Sequence, residues 1–115
     1  MSKRYLVVVP VNKEAYCKSF TSKNEAIVLI KDKIGHSRKE DSVEFFDRAM
    51  TMFSAKNGKG KAVNERATYY AILPSAEDDI YGTAIIIGKK DDDICGLTEE
   101  SAISVKNEIN ELRVV

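Results

Sequence analysis

The segment Gly82-Thr-Ala-Ile-Ile-Ile-Gly88 constrains this chain more than any other. Side chains alternate between the two faces of a strand, so a run that is apolar at every position needs cover on both sides. Thr83–Ile87 is therefore expected inside a sheet whose two faces are both packed. The polar turn Lys89-Lys-Asp-Asp-Asp-Ile-Cys-Gly96 follows, and Leu97-Thr98-Glu99-Glu100 opens a helix. Thr98 serves as its N-cap, and Glu99 and Glu100 complement the positive end of the helix dipole. Ala102, Val105, Ile109 and Leu112 form its buried stripe.

A second run, Tyr5-Leu-Val-Val-Val-Pro-Val11, has strand length and β-branched character, which marks another central strand. Pro10 has no amide hydrogen to give to a ladder, so the strand ends there or borders an edge. Asn12-Lys13-Glu14 supplies turn chemistry, and Ala15–Phe20 returns as the partner in a hairpin. Ser22 and Glu25 have capping-box spacing. The serine oxygen is expected to accept from the third helical amide while the glutamate reaches back to the serine amide. Ala26, Ile27, Ile30 and Ile34 then recur at helical intervals, and Gly35 suits the C-terminal cap, giving a helix over Lys23–Ile34.

Val43–Asp47 and Met50–Ala55 read as strands, against a competing helix through Ser42–Ala55 with Val43, Phe46, Met50 and Phe53 on one face. Asn57-Gly58 and Gly60 are turn signals, Ala62–Tyr70 is a short helix or an irregular crossing, and Pro74–Asp79 is an acidic loop. With 115 residues and 43% apolar content, the chain is read as one domain over 1–115. The fold class is α+β, a mainly antiparallel sheet of four or five strands with two helices packed on it.

Net charge is zero, but residues 1–66 carry 14 Lys/Arg against 8 Asp/Glu, and residues 67–115 carry 4 against 10. The two halves either complement each other once folded or present faces to different partners. The apolar run near the start is too short for a signal-peptide core or a membrane span, which places the protein in a cytoplasm, with no membrane partner. Cys17 and Cys95 are too few for a disulfide framework and are read as reduced, small apolar residues.

Reactive constellations are sparse. Asn57-Gly58-Lys59-Gly60-Lys61 invites a phosphate loop, but its glycines are too close and Ala62 stands where Ser or Thr is needed. Asp91-Asp92-Asp93 invites a calcium loop, yet the fifth and twelfth positions are Cys95 and Ala102 instead of oxygen ligands. A single histidine, His36, supports neither a multi-histidine metal site nor a Ser-His-Asp triad, and two cysteines at this separation lack zinc-finger spacing. A Cys–His nucleophilic pair would need Cys17 or Cys95 to meet His36 in space, and nothing else points to one. No catalytic residue, metal site or cofactor is assigned, and the chain is read as a non-enzyme.

One segment crowds basic, amide and aromatic groups together: Lys59, Lys61, Asn64, Arg66 and Tyr69. Arginine recognises phosphate or carboxylate through paired donors, and tyrosine offers a rigid stacking face. These five are the candidate binding residues. The structural alternative pairs Arg66 with Glu65 or with an acidic residue of the second half.

The Tyr5-Leu-Val-Val-Val-Pro10 hairpin, the strand pair ending in Asn57-Gly58-Lys59, and Val63-Asn64-Glu65-Arg66 carry a resemblance. So does Ile80-Tyr-Gly-Thr-Ala84…Gly88…Asp93…Leu97-Thr98-Glu99-Glu100. Together they resemble an uncharacterised family of small domains found in phages, plasmids and conjugative elements. The chain departs from that pattern where Glu65 separates Asn64 from Arg66. The resemblance implies an accessory protein of a mobile element in a host cytoplasm, and no mechanism. The expected function is a non-enzymatic binding protein that occupies a host macromolecule, such as a defence protein. The alternative is a sponge or sensor for a nucleotide or similar anion on Lys59–Tyr70. Nucleic acid is disfavoured by the zero net charge. An edge strand near Val43–Ala55 would allow a homodimer.

Overall fold

A computed structural model describes residues 3–34, 43–45, 50–54, 62–72, 81–90 and 93–112. Among these residues six strands and three helices follow in the order β1 (Arg4–Val9), β2 (Tyr16–Phe20), α1 (Lys23–Ile34), β3 (Val43–Phe45), β4 (Met50–Phe53), α2 (Glu65–Ile72), β5 (Ala84–Lys90), β6 (Asp93–Ile94) and α3 (Glu99–Asn110). The sheet order is β2-β1-β5-β4-β3, with β6 hairpinned onto the far end of β5, and every pairing is antiparallel. The fold is α+β. A third helix, α2, joins the two expected ones. Its eight residues give a weak periodic signal, and the capping of its first turn depends on a side chain anchored elsewhere in the fold, as described below.

The two apolar runs lie side by side at the centre, where Leu6 pairs with Ile87 and Val9 with Ala84. Their alternation divides the core into two layers. Leu6, Val8, Ile85 and Ile87 face α1 and meet Phe20, Ala26, Ile30, Ile34 and Phe53. Val7, Val9, Ala84 and Ile86 face α2 and α3 and meet Met50, Met52, Ala67, Ala102, Val105 and Ile109. All eight central side chains are buried. Each fully buried Leu, Ile or Val stabilises the fold by about 1.5–3 kcal/mol relative to exposure. The doubly covered strand expected from Thr83–Ile87 is thus present in β5, and β1 ends at Val9, the residue before Pro10.

The helix starts follow their capping chemistry, with one difference. The Glu25 amide donates to Ser22 Oγ at 3.1 Å, but the Glu25 carboxylate accepts from Thr21 Oγ1 at 3.0 Å. A hydroxyl one residue upstream takes the place assigned to the serine amide. At α3, Thr98 Oγ1 accepts from the Ser101 amide at 3.1 Å, as expected, and Ala102, Val105 and Ile109 are buried. Leu112 lies beyond the end of the helix.

Two glycines allow β5 to pass the stretch that follows β6. A Cβ on Gly88 would stand 2.5 Å from the carbonyl oxygen of Gly96. Gly96 has φ +68°, and a Cβ there would stand 2.6 Å from both Arg4 Cβ and Phe20 Cζ. This close passage lets Leu97 exchange two backbone hydrogen bonds with Tyr5, at 2.9 and 2.8 Å, extending the ladder of β1 beyond β5. Val43–Phe45 and Met50–Phe53 are strands rather than one helix. Met50–Phe53 lies between β5 and β3, and the edge strand expected near Val43–Ala55 is β3 (Val43–Phe45), the last strand of the sheet among the described residues.

Candidate functional site

The candidate segment begins at the end of the β1–β5 seam. Asn64 is 1% exposed and directly precedes α2. Its Nδ2 donates to the carbonyls of Val9 at 2.7 Å and Gly82 at 2.8 Å, and its Oδ1 accepts from the Ala67 amide at 3.1 Å. One side chain therefore caps a helix and closes the end of two strands. Gly82, with φ +75°, turns its carbonyl toward this amide and anchors its own amide on Ala62 at 2.9 Å. An asparagine suits the position because it alone among small side chains offers two donors and an acceptor on one planar group.

Arg66 sits in the first turn of α2, half-buried, and its Nη1 donates to the Lys13 carbonyl. That carbonyl belongs to the β1–β2 turn, where Asn12 has φ 58°, a left-handed value that asparagine tolerates. Among the described residues the partner of Arg66 is thus a main-chain oxygen rather than Glu65 or an acidic residue of the second half. Among the described residues, Asn12, Asn64, Glu65, Arg66 and Leu112 line a half-open groove of about 290 Å³.

The five sequence-predicted residues separate accordingly. Lys59 and Lys61 lie outside the described residues, as do His36, Asn57–Gly58 and the Asp91–Asp92 pair. Tyr69 lies on α2, and its side chain is likewise outside what is described. Asn64 and Arg66 are brought to one groove, but with different duties. Both amide hydrogens of Asn64 are engaged by backbone, whereas the planar, five-donor guanidinium of Arg66 makes one hydrogen bond among the described residues. Asn12 and Leu112 carry no local sequence signal for this site; only the return of α3 to the hairpin end brings them together. Neighbouring Tyr70 donates to Glu108 at 3.2 Å and packs against the core, tying α2 to α3.

The cysteines are free and half-buried. Burial pushes the Cys17 thiol up, opposed by Lys106 and assisted by Glu99. That is the direction opposite to an activated nucleophile. Cys95 borders a cleft of about 160 Å³ with Phe20, Ile94, Arg4 and Lys23. Among the described residues there is no group of three His, Cys, Asp or Glu side chains that could hold a metal ion. No helix among them is long and apolar enough to cross a membrane. Comparisons of the chain with protein-family models, curated protein sequences and solved structures give no match.

Proposed function

We propose that the chain is a non-enzymatic binding protein of a phage or related mobile element, which occupies a host macromolecule through the groove at the start of α2. The observation that carries this reading is the polar groove of about 290 Å³ in which Arg66 is held in place by the Lys13 carbonyl. Among the described residues its lining is amide, carboxylate and guanidinium groups with one leucine, whereas small-molecule sites are lined mainly by apolar and aromatic side chains. A fixed arginine in such a groove suits an acceptor-bearing segment of a larger partner, since a planar guanidinium recognises carboxylates and carbonyls with defined geometry. Of the residues behind the family resemblance, Asn64, Gly82, Gly88 and Thr98 each perform a structural duty in this fold.

The test places a photo-crosslinking amino acid at Glu65, exposed on the groove beside Arg66, in one version and at Val28, on the α1 side, in another, and expresses both in host cells. One host protein crosslinked from position 65 and absent from position 28 is the expected outcome. Identical crosslinks from both positions, or none from 65, would overturn the proposal. A nucleotide panel run beside it addresses the small-anion alternative. Ligand at 100 times its dissociation constant would stabilise the fold by about 2.7 kcal/mol, and no such shift is expected.

A further inference from the structure

We propose that β2 is the seam of a two-fold homodimer, in which β2 of a second copy adds antiparallel to the outer edge and the two α3 helices pack beside each other. The direction of each backbone group follows from the ladder. Tyr5 exchanges both of its hydrogen bonds with Leu97, on the β5 side of β1. Backbone groups alternate along a strand, so Arg4, Leu6 and Val8 point to β2, and their register partners Phe20, Lys18 and Tyr16 point back. Ala15, Cys17 and Ser19 therefore present N–H and C=O groups outward. Ala15 verifies this. Its amide donates to Asn110 Oδ1 at 2.7 Å, and its carbonyl accepts from Asn110 Nδ2 at 3.1 Å. The Asn110 side chain fills the place of a neighbouring strand at that one position. Among the described residues β2 pairs with β1 alone, which leaves Cys17 and Ser19 as the open rungs.

Asn110 also selects the register. Pairing Cys17 with Cys17 of the second copy would set Ser19 opposite the occupied Ala15. Centring the two-fold on Lys18 instead pairs Cys17 with Ser19 twice, making four backbone hydrogen bonds, and sets opposite Ala15 only Thr21, which lies past the end of β2. The helices fit the same axis. Glu99, Ile103, Lys106 and Asn110 form one flank of α3. Glu99 accepts from Tyr5, which pairs with Ser19; Lys106 acts on Cys17; and Asn110 holds Ala15. That flank therefore runs along the β2 edge, with Ile103 at its middle and 40% exposed. Because α3 packs over β1 and β2, two copies of it would lie about two strand spacings apart, ~9–10 Å, which is helix-packing distance. Ile103 then meets Ile103, and Glu99 of each copy approaches Lys106 of the other. The flank is complementary to itself in both charge and apolar contact. Against this, Lys18 faces Lys18 across the axis, and like charges directly opposite weaken a pair. The stem of each can lean diagonally toward the exposed Tyr16 ring of the other copy.

Sedimentation of the full chain in reductant between roughly 10 and 500 µM should show a monomer–dimer equilibrium. Ser19→Pro removes one outward donor and no bond to β1; Ile103→Lys removes the helix contact on an exposed face. Each should weaken dimerisation by about tenfold or more, with circular dichroism confirming the fold. Lys18→Thr should tighten it by roughly two- to fivefold. Ser19→Cys sets a thiol opposite Cys17 of the second copy at the ~5.5 Å Cα spacing of a hydrogen-bonded pair, so mild oxidation should give a covalent dimer. A monomer throughout the range overturns the proposal and leaves the edge to a strand of another protein. A dimer indifferent to Ser19→Pro and Ile103→Lys overturns it too, by assigning another surface.

Discussion

Asn64 allows a direct test of how this fold is held together, because Thr98 provides an internal control. Both residues cap a helix by accepting an amide hydrogen at 3.1 Å, but only Asn64 also donates to two backbone carbonyls from a buried position. Thr98→Ala should lose the cap alone, about 0.5–2 kcal/mol. Asn64→Ala loses a similar cap and leaves the Val9 and Gly82 carbonyls without that donor, at about 1–3 kcal/mol each. The expected total of about 2.5–8 kcal/mol is a large part of the 5–15 kcal/mol available to a domain of this size. Asn64→Asp sharpens the comparison, since it keeps the volume and the cap oxygen and removes only the donors. It should cost more than Thr98→Ala at neutral pH. The deficit should shrink as pH falls through the carboxylate range, where a protonated carboxyl can again donate to one carbonyl. Urea unfolding followed by circular dichroism measures each value, and an unchanged m-value keeps the comparison two-state. If Asn64→Asp and Asn64→Ala both cost no more than Thr98→Ala, the two carbonyl bonds contribute nothing, and the account of the β1–β5 seam is wrong.

Three further outcomes follow from the packing and the titrating groups. Asn110→Ala should destabilise by about 1–3 kcal/mol and speed hydrogen exchange at the Ala15 amide far more than at Val7; equal protection at Ala15 in both proteins would count against the clamp. Gly96→Ala combines a positive φ with overlap on Arg4 and Phe20, and should cost at least 2–3 kcal/mol in thermal or urea unfolding, whereas a neutral result would contradict the close passage. The Tyr5 phenol is raised chiefly by its hydrogen bond to Glu99, and burial raises the Cys17 thiol. Both groups hold their protons more tightly when folded. Their contribution is therefore intact below the ordinary thiol and phenol range and is lost as pH rises through the folded values. Absorbance titration should find Tyr5 ionising at lower pH in Glu99→Gln than in the parent.

How much of this could be read from the residues depended on whether the physics was local. Tyr5–Val9 and Ala84–Ile87 announced two central strands because their apolarity has no other use, and Thr98 and Ser22 announced helix starts because capping acts within four residues. The helix alternative for Ser42–Ala55 failed because the buried Met50–Phe53 is filled on both sides by β5 and β3, an environment that helical spacing alone cannot reveal. α2 stayed ambiguous because the side chain of Asn64, whose oxygen caps the helix, is positioned by its Nδ2 donating to the carbonyls of Val9 and Gly82, which are 55 and 18 residues away. The candidate site shows the same limit. Arg66 was legible as a donor-rich side chain, while Asn12, Leu112 and the Lys13 carbonyl became neighbours only through the fold. Asn64 stood out in the sequence as the amide within a crowd of basic and aromatic side chains, and the structure gives it a part in holding the frame.

The fastening of α3 has a consequence for the order in which the molecule can assemble. Glu99 reaches Tyr5 across 94 residues, and Asn110 reaches Ala15 across 95. The other long neighbour of β1 is β5, so the first hairpin emerges during synthesis with one face and one edge waiting for the last third of the chain. Closing such long loops before any contact rewards them slows folding. The early hairpin and α1 can cover only one side of Leu6–Val9, and Val7 and Val9 stay open to water or to a chaperone until α3 arrives. Folding of this chain is therefore expected to be late and cooperative, completed only after nearly all of it has left the ribosome.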